Sequence, residues 1–167
     1  MNFLINLKEI KNFFLKKENI YYFVIIIIIF FLDRYSKFTV INNFSERTHY
    51  LNNYLNLDLI WNIGIGFGFL STVSNVFYNL ITIIIGIVIA ILVYISVKSE
   101  KLDKLVYSII IGGALGNFYD RIVYNAVPDF IDLHYNNFHW FIFNVADIFI
   151  TIGIFIFIFK EFIYKKL

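Results

Sequence analysis

Long apolar runs decide the solvent in which this chain folds. Val76 to Val97 is almost wholly apolar, and Phe141 to Phe159 is broken only by Asn144, Asp147 and Thr151. A helix needs roughly 20 such residues to cross a bilayer. The run from Ile20 reaches that length by continuing past Leu32 through Tyr35 and Phe38 to Val40. Leu105 to Tyr119 is shorter and contains glycine, but it lies between a lysine-bearing loop and a polar cluster, where a further span belongs. Four membrane helices are therefore expected, at 20–40, 76–97, 105–119 and 141–159. With 60% of its 167 residues hydrophobic and 21% aromatic, the chain is too apolar for a water-soluble core and short enough for one domain. A single proline and no polar low-complexity stretch leave no obvious linker, so residues 1–167 read as one membrane unit.

Lysines set the orientation. Lys8, Lys11, Lys16 and Lys17 precede the first span, Lys98, Lys101 and Lys104 join the second to the third, and Lys160, Lys165 and Lys166 follow the fourth. The opposite segments carry only Arg34, Lys37, Arg47 and Arg121, so the positive-inside rule puts both termini in the cytoplasm. Segments 42–75 and 120–140 then face outward. The first span has charged flanks and no small-residue cleavage site after it, and is expected to stay as an anchor. Before it, Phe3, Leu4, Leu7, Ile10, Phe14 and Leu15 alternate with lysines, a pattern suited to an interfacial helix within residues 1–19. In the first outer segment, the alternation from Tyr50 to Trp61 resembles one or two strands lying on the membrane surface. The expected fold is thus all-α, with four spans and a small β-rich outer platform.

Inventory removes several chemistries. No cysteine is present, which excludes disulfides, thiolate metal sites and a cysteine nucleophile. A net charge of +2 is too small to argue for nucleic acid. His49, His134 and His139 form no HExxH pattern, and two of them are placed in a loop among aromatics, so no metal and no cofactor are expected.

What remains is a set of polar groups gathered at the outer ends of the spans, where each ionisable group is costly and asks for a reason. Asp33, Arg34 and Lys37 close the first helix, Asp120 and Arg121 close the third, Asp129 and Asp132 follow, and Asn144 and Asp147 open the fourth. Asp33 and Lys37 have the i,i+4 order that favours a helical ion pair. Asp147 lies in an otherwise apolar helix, about one turn past Asn144, where a lone carboxylate is strongly desolvated. A second carboxylate beside it would make a pair that shares one proton, giving an acid and a base at neutral pH. Asp129 and Asp132 compete for that place. In an extended segment their three-residue spacing puts them on opposite faces, so only one can point at the fourth helix. The GxxxG spacing of Gly112 and Gly116 permits close helix packing.

Five blocks, in order, resemble the lipoprotein signal peptidases, or signal peptidase II. They are Asp33-Arg34-Tyr35-Ser36-Lys37, Asn62-Ile63-Gly64-Ile65-Gly66-Phe67-Gly68, Gly112 through Arg121, Val127-Pro128-Asp129-Phe130-Ile131 and Phe143-Asn144-Val145-Ala146-Asp147. The resemblance implies an endopeptidase of the bacterial inner membrane, with its site facing the periplasm. It would remove the signal peptide from a diacylglyceryl-modified prolipoprotein just before the lipidated cysteine, and would be blocked by the cyclic depsipeptide globomycin. It also implies that Asp129 and Asp147 are the catalytic pair, which chooses Asp129 over Asp132. Asp33, Lys37, Asn62, Gly64, Asn117, Asp120, Arg121 and Asn144 carry over as supporting or substrate-binding positions. Gly66 stands where Ala is expected and Pro128 where an aliphatic residue is commoner, although neither change removes a catalytic group. The rival readings are a small transporter or proton channel using the same carboxylates, and a catalytically silent membrane assembly factor.

Overall fold

A computed structural model describes residues 17–44, 47–64, 75–136 and 138–164. The amphipathic stretch before residue 17 and the glycine-rich residues 65–74, Gly66 among them, lie outside the described residues. Four helices and four strands follow in the order α1 (Lys17–Asn43), β1 (His49–Asn52), β2 (Leu55–Asn62), α2 (Asn75–Lys98), α3 (Lys101–Tyr124), β3 (Val127–Tyr135), β4 (Phe138–Phe143) and α4 (Val145–Tyr164). The helices follow the apolar runs, and their ends are set by local chemistry. Two residues join α2 to α3, which makes them antiparallel neighbours. Asn125, at φ 53°, ends α3 in the left-handed conformation that asparagine tolerates better than most residues.

The fourth helix starts later than the expected 141. Phe138–Phe143 pair with β3 instead, because a short aromatic-rich apolar run satisfies its backbone equally well in a ladder. Asn144 then caps the helix. Likewise, the segment after residue 119 stays helical through Tyr124 before turning into β3.

Helix α3 sits at the centre, packed against α4, α1 and α2. Its glycines are the points of closest approach. A Cβ on Gly112 would stand 2.8 Å from Cβ of Ile29 on α1, and one on Gly113 would stand 2.6 Å from the Ala146 carbonyl on α4. Gly116 faces the Asp33 carboxylate so closely that a methyl group there would collide with it. The expected GxxxG packing is thus realised, with Gly112 and Gly116 receiving α1 and Gly113 receiving α4.

The polarity of the molecule is inverted relative to a soluble protein. Asp33, Asp120 and Asn144 are wholly buried, whereas Phe23, Ile28 and Phe31 of α1, Ile83 and Ile87 of α2 and Phe155 and Phe159 of α4 are exposed. Among the described residues, Tyr78–Lys98 is long and apolar enough to cross a membrane by length and composition.

At one end of the helices the strands form a single antiparallel sheet in the order β1-β2-β3-β4. It joins the two segments expected from the sequence to face outward. Strand β2 runs beside β3 with Asn56 opposite Asp132, Ile60 opposite Asp129 and Asn62 opposite Val127. Strands β3 and β4 form a hairpin with Tyr135 opposite Phe138, and Asn136 supplies the positive φ of 52° that such a short turn requires.

Candidate active site

The fourth helix opens with two residues that bond to each other. Asn144 Oδ1 accepts the backbone N–H of Asp147 at 3.1 Å, and Asp147 Oδ2 accepts the backbone N–H of Asn144 at 3.1 Å. This is a capping box built from Asn and Asp, satisfying donors that a helix N-terminus otherwise leaves orphaned. The side-chain amide of Asn144 has a second duty, since its Nδ2 donates to Asp129 Oδ1 at 2.6 Å. One asparagine therefore touches both carboxylates.

Strand β3 presents Asp129 to this point from the other side. Asn62, at the end of β2, donates to Asp129 Oδ2 at 2.9 Å, and Asn62 Oδ1 accepts the N–H of Gly64 at 2.9 Å. Arg121 of α3 donates to the Gly64 carbonyl at 3.1 Å and to the Asn117 carbonyl at 3.3 Å. Asn117 donates in turn to Asp147 Oδ1 at 2.8 Å. The bonds close a circuit through Asn117, Asp147, Asn144, Asp129, Asn62, Gly64 and Arg121, drawn from β2, α3, β3 and α4.

A buried charge cluster fastens the circuit to α1. Lys37, 1% exposed, donates to Asn117 Oδ1 at 2.8 Å and Asp120 Oδ2 at 2.6 Å, and pairs with Asp33 Oδ2 at 3.0 Å. Asp33 Oδ1 accepts the backbone N–H of Ala146 at 3.0 Å, tying α1 to the first turn of α4. The i,i+4 pair of Asp33 and Lys37 is thus an interior pair and not a surface one. Two acids, Asp33 and Asp120, face two bases, Lys37 and Arg34, so the buried charges balance.

Asp129, Asp147 and the eight supporting positions that the family resemblance carries over meet in this one network. Asp132 does not join it: its carboxylate takes Asn56 Nδ2 at 3.1 Å and His139 Nδ1 at 2.9 Å. Arg34, not among the site residues expected from the sequence, belongs to the cluster as well. Its guanidinium donates to Asp33 at 2.9 Å and Asp120 at 2.8 Å, and lies 4.8 Å from the centre of the Tyr119 ring. Adjacency to Asp33 in a buried helix end was the available signal.

Burial raises Asp129 to about 6 from its ordinary 3.8, the negative charge of Asp147 adds to the rise, and the bonds from Asn62 and Asn144 oppose it. Asp129 is 4% exposed, so it meets little water. A carboxylate poised near neutrality beside a second one is equipped for proton transfer in both directions.

Comparison with known proteins gives a consistent answer. The family described as Signal peptidase (SPase) II matches residues 25–163. The Lipoprotein signal peptidase of Pelagibacter ubique is 54% identical over 117 residues, covering 70% of each chain. That of Anaplasma phagocytophilum is 43% identical over 109 residues, covering 65% of this chain and 69% of its own. A bacterial membrane enzyme solved by the in meso method at 2.3 Å superposes with a TM-score of 0.72 at 29% identity, over 84% of this chain and 87% of the other. The chain belongs to the signal peptidase II family.

Proposed function

We propose that this signal peptidase is an aspartyl endopeptidase in which Asp129 and Asp147 share one proton. The observation that carries the reading is Asn144, bonded to both aspartates at once, with Asp129 raised to about 6 partly by the charge of Asp147. The ionised member draws a proton from water as the oxygen attacks the scissile carbonyl, while the protonated member donates to the carbonyl oxygen. Collapse of the tetrahedral species returns a proton to the leaving amine. No cofactor takes part.

The substrate is a diacylglyceryl-modified prolipoprotein, cut before its lipidated cysteine, and globomycin is an inhibitor. Acyl chains stay in hydrocarbon against exposed apolar helix faces, each CH₂ contributing about 0.8 kcal/mol to anchoring the substrate in the bilayer where the enzyme meets it. Helices α1 to α4 cross the bacterial inner membrane, with both termini cytoplasmic and the sheet on the periplasmic surface. Exposed apolar belts on the helices and exposed Trp61, Trp140 and Phe138 on the sheet support that placement. The transporter reading gains nothing from the family to which the chain belongs.

Detergent-purified protein incubated with a diacylated prolipoprotein is expected to release a fragment of signal-peptide mass, and to cut the unlipidated precursor far more slowly. An intact lipidated precursor after prolonged incubation would overturn the reading. In the same assay kcat/KM is expected to fall above an apparent pKa near 6, because Asp129 holds its proton below that value and loses it above. The Asn62→Ala variant removes a bond to the anion, so this alkaline limb should move to higher pH. A limb that stays in place would detach Asp129 from the titration.

A further inference from the structure

Outside the circuit, the β3–β4 hairpin gathers a second set of ligand-bearing side chains. Asp132 and His134 are two residues apart on β3, so both project from the same face of the strand. His139 stands opposite His134 on β4. The ladder pairs Asp132 with Ile142 and His134 with His139, which leaves the extra residue of the irregularity on β4 and the alternation of β3 intact. The two imidazole rings lie nearly parallel, 17° apart, with centroids separated by 5.2 Å. Nδ1 of His139 reaches both carboxylate oxygens of Asp132, at 3.1 and 2.9 Å.

We propose that Asp132, His134 and His139 form a site for a divalent transition metal ion of the zinc class. One donor atom from each residue lies within 4.8 Å of the others. Ligands at bond lengths of about 2.0–2.1 Å around a tetrahedral ion stand roughly 3.3 Å apart, so the set must close slightly. His139 can supply that movement, since its side chain is 54% exposed while the Asp132 side chain is 3% exposed. Two imidazoles and one carboxylate suit zinc-class ions better than magnesium or calcium, which favour all-oxygen sets. A polar atom also awaits a partner: Nδ1 of His134 is buried and has no hydrogen-bond partner among the described residues. Asn56 holds the Asp132 carboxylate from β2, orienting it as outer partners orient metal ligands. No HExxH pattern is present, but the two histidines expected in a loop both lie on paired strands.

Bound there, the ion staples β3, which carries Asp129, to β4, which leads directly into Asn144. Three protein ligands leave a fourth position open to water. Among the described residues, none of the three side chains bonds to the catalytic circuit, so this proposal stands apart from the peptidase reading, and its readout is metal content.

The full chain, purified in detergent through a tag without histidines and stripped with a chelator, is titrated with zinc chloride and its metal content measured after dialysis. About one equivalent per chain is expected, and cobalt loaded in its place should give the visible absorption of a nitrogen- and oxygen-ligated ion. His139→Ala changes an exposed side chain and should leave the metal-free fold intact while weakening zinc binding by about tenfold or more. His134→Asn should do the same from the other strand. Absence of saturable zinc binding by the unaltered chain, or binding that both variants retain in full, would overturn the proposal.

Discussion

Asp129→Asn and Asp147→Asn are each expected to slow cleavage of a diacylated prolipoprotein by at least about 10³-fold, because each removes a proton-transfer partner from the pair. Folding should survive in both. For Asp129 the direction follows from its burial. Its carboxyl is raised from 3.8 to about 6 in the folded chain, so relative stability is highest below 3.8 and is lost as pH rises through 6. Replacing it with a neutral amide relieves a cost of up to about 3 kcal/mol above pH 6, offset by the donor-to-donor mismatch with Asn62 and Asn144. The Asp129→Asn variant should therefore unfold at or above the parent's temperature at pH 7 and somewhat below it at pH 4. Rapid cleavage by either variant in a purified assay would take that residue out of the mechanism.

Lys37→Met should do the reverse, costing stability first. Lys37 is the cation shared by Asp33 and Asp120, both 0% exposed, and it also orients Asn117 against Asp147. Removing it leaves Arg34, among the described residues, as the one cation bonded to two buried carboxylates. Deleting one partner of a buried ion pair costs about 3–5 kcal/mol, which in a chain of this size lowers the unfolding midpoint on the order of 10 °C. Asp120→Asn added to Lys37→Met should recover part of that loss, since the second change removes an uncompensated charge. A midpoint unmoved by Lys37→Met, read by thermal unfolding in detergent, would mean that the cluster contributes little to the fold.

The sequence disclosed these elements unevenly, for physical reasons. Helices α1 and α2 announce themselves through apolar length, α3 through the lysine-bearing loop and polar cluster that flank a shorter run, and strand β2 through alternation. Strand β4 did not, because Phe138 to Phe143 merges without a break into the apolar run of α4, and apolar content alone does not separate a strand from a helix. The marker was present as Asn144, a residue suited to a helix N-cap, followed three positions later by the acid of a capping box. Spacing separated Asp129 from Asp132 but did not say which one met α4. In the fold that choice depends on β2, where Asn62 reaches Asp129 and Asn56 reaches Asp132. Pairing of segments so distant along the chain is set by tertiary packing, which local periodicity does not encode. Arg34 is among the polar groups that close the first helix, but nothing in the local sequence says which way a long guanidinium side chain turns. Here it folds back on Asp33 and Asp120.

The bond from the Ala146 amide to Asp33 joins positions 113 apart, and the pairing of β2 with β3 brackets the whole α2–α3 hairpin. Contacts that distant must wait for everything between them to emerge from the ribosome and insert. A growing chain therefore carries Asp33 and Asn62 through much of its synthesis before their partners on α4 and β3 exist. The site is assembled late, when α4 docks against α1 and α3 and brings Asn144 and Asp147 to residues made much earlier.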